Sequence, residues 1–470
     1  MANDNKLLNI FVPNICLNEQ AYTLGVLLND FLGLKFDIHT HDKAFIEIRR
    51  NSSSIKSSKL TIDASFFHLA HKEWLKPGSM PKLPLASWAP ENDGIKPNLI
   101  KPYLPILYGK AGLIKKECNI HLNLDVFGSA FFMLSRYEEL ITCNRDVHNR
   151  FPGYASIAFK AGFLERPIIN EYLEILCECL KAIWPDLVFK KRSYKKVITC
   201  DVDHPFDLAG YSLNKTILRT GARLIRDKNF KLALYDLLNY LFKKFNSDIF
   251  DQYRKNIEWM IKVNNQQNNK VTFNFIPIQT DIDKEDTNDV RSKKISHLLR
   301  YIVNNGHEVG FHPGYNTFND DDIFKNSAKA FKEACKSQQI NLSKLGGRQH
   351  YLRYQINKTP QLWEENGFMY DSSLGYADMA GFRCGVCYEY GMYDLAKRKT
   401  MKLKQRPLIV MDCTIIEDKY EGLGFRNQSI NRFKYFKDIC QKYNGDFVFL
   451  WHNSYFSDKN SFKYYELCIK

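Results

Sequence analysis

A chain of 470 residues that is 44% hydrophobic and 14% aromatic can bury a large core and is long enough for two or more domains, which excludes a disordered protein. Its 67 basic residues against 52 acidic ones give a formal +15, a balance suited to an anionic partner such as nucleic acid, a membrane surface or a phosphorylated sugar carrier. No apolar run reaches the ~18–20 residues needed to cross a bilayer, and Met1–Lys6 lacks a signal peptide's layout, so a cytoplasmic protein is expected. The twelve cysteines include no Cys-x-x-Cys pair, although Cys177 and Cys179 lie close; they read as reduced thiols, mostly in the core.

In chain order, Asn18 is placed to cap a helix through Ala21, Leu24, Leu27, Leu28 and Phe31 that stops at Gly33. Strands are predicted at Phe36–His39, Phe45–Ile48 and Leu60–Phe66, with a polar, Ser-rich turn over 51–59. His39 and His41 alternate on the first of these, but no third ligand converges on them, so they read as solvated edge residues. Asp125 to Leu140 is a helix candidate, apolar and then charged, whose Arg136, Glu138 and Glu139 read as an ion-paired helix end. A second amphipathic helix follows Pro167 with Ile168, Ile169, Tyr172, Leu173, Leu176 and Leu180 at helical spacing. The basic patch Lys190–Arg192 then marks a domain boundary, dividing a mixed α/β or α+β domain over 1–190 from residues 191–470.

Val197–Asp203 is an apolar run ending in two carboxylates before Pro205, the pattern of a buried strand that delivers acids to a sheet's rim. Strand alternation puts Asp201 and Asp203 on one face, about 6–7 Å apart, which suits one metal ligand beside one base. Alone, the pair reads more readily as a turn cap before Pro205, and other parts of the chain must decide. A basic insertion over 215–246 places Phe230, Leu234, Leu237, Leu238, Leu241 and Phe245 on one helical face beside several lysines. Such a helix can lie on an anionic membrane, as a peripheral contact, or pack on the protein with its lysines in water. A helix over 253–263 and the strand Val271–Ile276 restore the βαβ rhythm of a parallel sheet or barrel. Four further polar stations follow: Gly306–Asn316 around His312, Gly346–Arg353, Tyr370–Tyr376 with Arg383, and Phe447–Asn453 ending in His452.

Taken in that order, Thr199–Asp203, Gly306–His312, Arg348–Tyr351, Tyr370–Leu374 and Leu450–His452 resemble the five motifs of the NodB-type polysaccharide deacetylases, carbohydrate esterase family four. Asp-Val-Asp, Gly-Phe-His-Pro-Gly-Tyr and Arg-Gln-His-Tyr-Leu-Arg look like the intracellular branch found among surface-polysaccharide genes, as does the preceding Phe-Gly-Ser-x-Phe-Phe-Met-Leu-Ser-Arg-Tyr-Glu-Glu at 127–139. The resemblance implies a distorted (β/α) barrel of about seven strands over 191–470, with the acids and histidines at its strand ends. It also implies a divalent metal, zinc first, and an acetylated sugar as substrate, nucleotide-linked or lipid-diphosphate-linked in a cytoplasmic setting, with no nucleic acid.

By motif position, Asp201 matches the general base, Asp203 and His312 match metal ligands, and His452 matches the histidine assisting the leaving group. Arg348 matches the arginine that orients the base, and Tyr315 is placed to offer its backbone N–H to the oxyanion. Tyr351 and Arg383 are expected to contact substrate. The family's second metal histidine is replaced here by Asn316, a weaker ligand, and His204 and His350 are the available substitutes. The implied function is therefore a metal-dependent sugar deacetylase in surface-polysaccharide biosynthesis, with a noncatalytic glycan-binding or scaffolding subunit as the alternative that Asn316 raises.

Overall fold

The computed structural model describes residues 8–50, 58–225, 228–245, 247–341, 343–456 and 459–470. Two units divide the chain: Met1–Lys195, Leu352–Val410 and Tyr435–Phe447 form one, and Lys196–Tyr351, Met411–Lys434 and Val448–Lys470 the other. The first unit's opening segment ends at Lys195, and the unit also takes back two later segments.

The first unit opens with β1 (Leu8–Pro13), β2 (Phe36–His41), β3 (Phe45–Arg50), β4 (Lys59–Asp63), β5 (Ala86–Trp88), β6 (Leu104–Ile106), β7 (Gly109–Lys116) and β8 (Asn119–Leu124). Six of these make a mixed sheet in the order β2-β1-β3-β4-β8-β7, while β5 and β6 pair with each other. Leu8, Ile10 and Val12, Leu60 and Ile62, and Ile120, Leu122 and Leu124 alternate inward, so one face is dry. The helix Ile168–Ile183 packs on β4 and β8, and the wholly buried helix Val126–Leu134 packs on it in turn. On the edge strand β2, His39 is exposed and bonds Asn9, as a solvated edge residue should.

The helix Val126–Leu134 starts on Asp125, whose carboxylate accepts from the backbone N–H groups of Gly128 (2.7 Å) and Phe66 (2.8 Å). It ends earlier than expected because Arg136 takes a left-handed backbone, φ 57°. That turn sends Arg136 inward to Glu138 (2.7 Å) and Glu139 (2.8 Å), both buried.

In the second unit β9 (Lys195–Val202), β10 (Val271–Phe275), β11 (Glu308–Phe311) and β12 (Gly346–Gly347) run parallel, linked by the helices Gln252–Gln266, Lys293–Asn304 and Asp321–Ser337. Parallel strands covered on both faces read as continuous apolar runs, which is why β10 is buried at every position. The first unit then adds β13 (Tyr370–Asp371), β14 (Tyr390–Asp394) and β15 (Lys399–Gln405), with β14 antiparallel and β13 parallel to β15. Met411 of β16 (Val410–Met411) and Val448–Leu450 of β17 (Asp446–Leu450) complete the second unit, whose strand order is β12-β11-β10-β9-β17-β16. The protein is thus mixed α/β.

Candidate active site

Register brings the first chemical groups together. Asn274 on β10 stands opposite Asp201 on β9 and opposite Gly310 on β11. A side chain at 310 would run into the Asn274 amide, so glycine leaves the space in which Asn274 Nδ2 donates to Asp201 Oδ1 at 2.7 Å. Arg348, fully buried just past β12, donates from one terminal nitrogen to the same Asp201 oxygen (3.0 Å) and to Thr199 Oγ1 (2.8 Å). Burial pushes the Asp201 carboxyl up, but Arg348, then His312 and His452, outweigh it and leave it below the usual carboxylate range.

The ends of the parallel strands deliver the rest. His312 follows β11 directly, its N–H tied to Phe275 O (3.0 Å) and its Nδ1 paired with Arg348 O (2.5 Å). That fixes the ring so that Nε2 lies 3.3 Å from Asp203 Oδ1 and 3.9 Å from Asp201 Oδ2. Both acids therefore meet one imidazole, as alternation on a single strand face requires. His350, two residues past Arg348, sets Nε2 3.8 Å from Asp203 Oδ1, and its Nδ1 is held by Glu285 Oε1 at 2.9 Å. His452, after β17, pairs Nδ1 with Asp412 Oδ1 (2.8 Å), donates its backbone N–H to Asp412 Oδ2 (2.6 Å) and brings Nε2 within 3.9 Å of Asp203 Oδ2. Burial would lower the His452 pKa, but Asp412, then Asp203 and Asp201, hold it up to about 10.

Ligand atoms of Asp203, His312 and His350 lie within 4.8 Å of one another. Asp203 Oδ1, against which both imidazoles point, is buried and makes no hydrogen bond. A carboxylate oxygen among imidazoles is stabilised by a cation beside it, supplied by a protonated His312 or by a bound metal ion. The two outer nitrogens, His312 Nδ1 on a carbonyl and His350 Nδ1 on a carboxylate, have the kinds of partner that orient metal-binding imidazoles. The donor set fits a divalent ion.

Three expected site residues are placed differently. Asn316 turns its Nδ2 to Thr280 O (2.9 Å) and Asp281 Oδ2 (3.3 Å), and His350 is the third group beside Asp203. The Tyr315 N–H donates to Glu285 Oε1 and so is already used, although its ring meets Tyr351 edge-on at 5.2 Å. Arg383 belongs to the first unit and is 1% exposed, its guanidinium bound to Glu139 and to Gly375 O. Tyr351 keeps partial exposure beside His350 (4.8 Å), in a left-handed backbone with φ 59°. The other substitute, His204, pairs with Asp286 (2.6 Å) and stacks on Tyr253, outside the three-residue cluster.

Glu285 and Asp412 orient the two histidines. Asp412 carries the same signal as Asp201, an acid ending an apolar run, whereas Glu285 lies in a polar loop with no periodicity to mark it.

Residues 8–185 match a family of unknown function, DUF7033. No curated protein sequence matches the chain. Among solved structures, the chain is similar to a protein from Mycobacterium smegmatis described as a polysaccharide deacetylase, at 16% identity and TM-score 0.39, covering 61% of this chain and 84% of the other. A second, from Pseudomonas aeruginosa PAO1 and also described as a polysaccharide deacetylase, has 15% identity, TM-score 0.32 and coverage of 46% and 65%. Puue allantoinase has 14% identity, TM-score 0.34 and coverage of 69% and 90%.

Proposed function

We propose that the second unit is a metal-dependent carbohydrate deacetylase, a distorted (β/α) barrel of the NodB type that removes an acetyl group from an amino sugar. The observation that carries this reading is the unsatisfied Asp203 oxygen facing His312 and His350, flanked by an acid and an imidazolium with opposite protonation preferences. Asp203 Oδ1, His312 Nε2 and His350 Nε2 would hold the metal, zinc by preference for imidazole and carboxylate donors. Bound there, such an ion supplies polarisation of the acetyl carbonyl.

The chain's own groups do the proton work. Asp201, kept ionised by Arg348 and Asn274, takes a proton from the attacking water. His452, kept protonated by Asp412, gives a proton from Nε2 to the departing nitrogen. Pushing the two pKa values apart lets one pocket hold a base and an acid at the same pH. Tyr315 and Tyr351 pack edge to face, a surface suited to a sugar ring. A diphosphate-linked sugar, on a nucleotide or a lipid, accords with the +15 charge. The direct test is acetate release from a panel of acetylated sugars and sugar carriers by protein with and without chelator; no release from any of them sinks the reading.

Two further results are expected. His350→Ala should weaken metal binding by ~10²-fold or more, since losing even an outer partner of a ligand costs 10–100-fold. Asn316→Ala should change it little, and titration against a competing chelator separates the two. Asp412→Asn should move the alkaline limb of the pH–rate profile downward. The general acid must be protonated, so activity is lost as pH rises through its pKa. Without the Asp412 charge that pKa falls from about 10 towards the ordinary ~6.5.

A further inference from the structure

Between β9 and β10 the basic insertion forms two helices, Leu213–Ile225 and Phe230–Lys243, and their polarity is inverted. The residues they bury are polar: Thr216 and Thr220 on the first, and Asp236, Asn239 and Lys243 with Ala233 on the second. These groups join an internal ion-pair set, Arg219 to Asp207 (2.7 Å), Arg223 to Asp236 (3.0 Å) and Lys243 to Asp251 (2.8 Å). The apolar side chains face out instead. Leu218 is 75% exposed, Ile225 82%, Phe230 72% and Phe245 83%, with Leu234 and Leu241 above half. Of the two readings the sequence leaves open, packing of the apolar face on the protein is the one these exposures oppose.

A hairpin designed for water places such residues inside, because apolar surface is driven out of it. Here the buried side holds ion pairs instead of apolar side chains, so the outward leucines and phenylalanines are left for another apolar medium. The charges around them indicate which. Among the described residues of 204–251, every carboxylate, Asp207, Asp236, Asp248 and Asp251, is buried, while Lys215, Lys228, Lys231 and Lys244 are exposed. Among the described residues the outer surface thus offers apolar side chains and cations and no exposed acid, the composition of an element that lies in an anionic lipid interface. At about 1.5 Å per residue the 14-residue second helix is about 21 Å long, too short to cross a bilayer and suited to lying along one.

We propose that this hairpin docks the protein on the surface of a membrane containing anionic phospholipid, with Leu218, Ile225, Phe230, Leu234 and Leu241 entering the headgroup boundary and the four lysines facing lipid phosphate. The proposal stands on the hairpin alone and does not depend on the deacetylase reading.

The test is flotation of the full chain with vesicles of phosphatidylcholine alone and of phosphatidylcholine with ~30% phosphatidylglycerol, at low and raised salt. Binding is expected only to the anionic vesicles and weaker in salt. Lys228→Glu/Lys231→Glu should lower partitioning on the order of 10-fold or more. Leu218→Ser/Phe230→Ser should lower it by a similar factor, and both pairs should keep the wild-type circular dichroism and Tm because all four side chains are exposed. No binding, or equal binding to neutral and anionic vesicles, overturns the proposal. So does light scattering that finds a wild-type dimer made monomeric by Leu218→Ser/Phe230→Ser with no vesicle binding, since a second copy would then cover the face. The readout contains no enzyme activity, so its failure leaves the deacetylase reading standing.

Discussion

Asp203→Asn is expected to cut kcat/KM for acetate release by ~10³-fold or more while leaving the fold intact. The carboxylate stands among three imidazoles, His312 at 3.3 Å, His350 at 3.8 Å and His452 at 3.9 Å, and an amide of the same shape removes the one negative group they share. A metal's Lewis-acid contribution is several kcal/mol of charge stabilisation, and each ~1.4 kcal/mol is tenfold, so about three decades follow from losing its anchor. The fold should persist, because Asp203 lies past the end of β9 and is half-buried, although the loss of its ion pairs with the three histidines lowers stability. Elemental analysis of wild type and variant, beside the rate, reads both consequences. Stoichiometric metal lost with activity supports the reading; a variant that keeps both would remove Asp203 from the chemistry. Equal glycan binding by the two proteins, with no turnover and no metal in either, would favour the noncatalytic subunit.

What the sequence made legible follows from geometry that is local. Asp201, Asp203, His312 and His452 each end an apolar run, and a run that long and that apolar is a buried strand whose last residues reach a rim. The β/α alternation from 253 to 311 was readable for the same reason. Details that depend on where a loop turns were not. Asn316 has the motif spacing of a ligand, but the chain after Pro313 carries its amide to Thr280, while His350 arrives from the next strand. The partners Glu285 and Asp412 are fixed by contacts 65 and 40 residues away in sequence. Arg383 has the chemistry of a substrate contact and the burial of a core residue, and only tertiary structure distinguishes them. The hairpin is the sharpest case: periodicity identified its apolar face and could not say whether that face points in or out.

That same interior site of Arg383 sets the second large effect: Glu139→Gln should destabilise the first unit by about 3–5 kcal/mol. Glu139 takes Arg136 Nε (2.8 Å) and Arg383 Nε (2.9 Å) on one oxygen and a second Arg383 nitrogen (2.7 Å) on the other, and all three side chains are at most 2% exposed. Removing its charge leaves two buried guanidiniums with Glu138 as the remaining carboxylate, whose other oxygen is occupied by the Ile157 N–H. Burial would raise the Glu139 pKa, but Arg383 and then Arg136 bring it down to about 2. A carboxylate depressed in the folded state contributes stability that is present above its unfolded pKa of ~4.3 and is lost as pH falls through the folded value. Across that interval the linkage is worth about 3 kcal/mol, the lower end of the substitution's expected cost. Denaturant unfolding followed from pH 7 downward checks both parts: wild type should lose this increment between about pH 4 and pH 2. Glu139→Gln should start lower and lack it. Glu138 runs the other way, since burial raises its pKa and the neighbouring Glu139 charge raises it too, so the difference between the two curves reports the coupled Glu138–Glu139 pair.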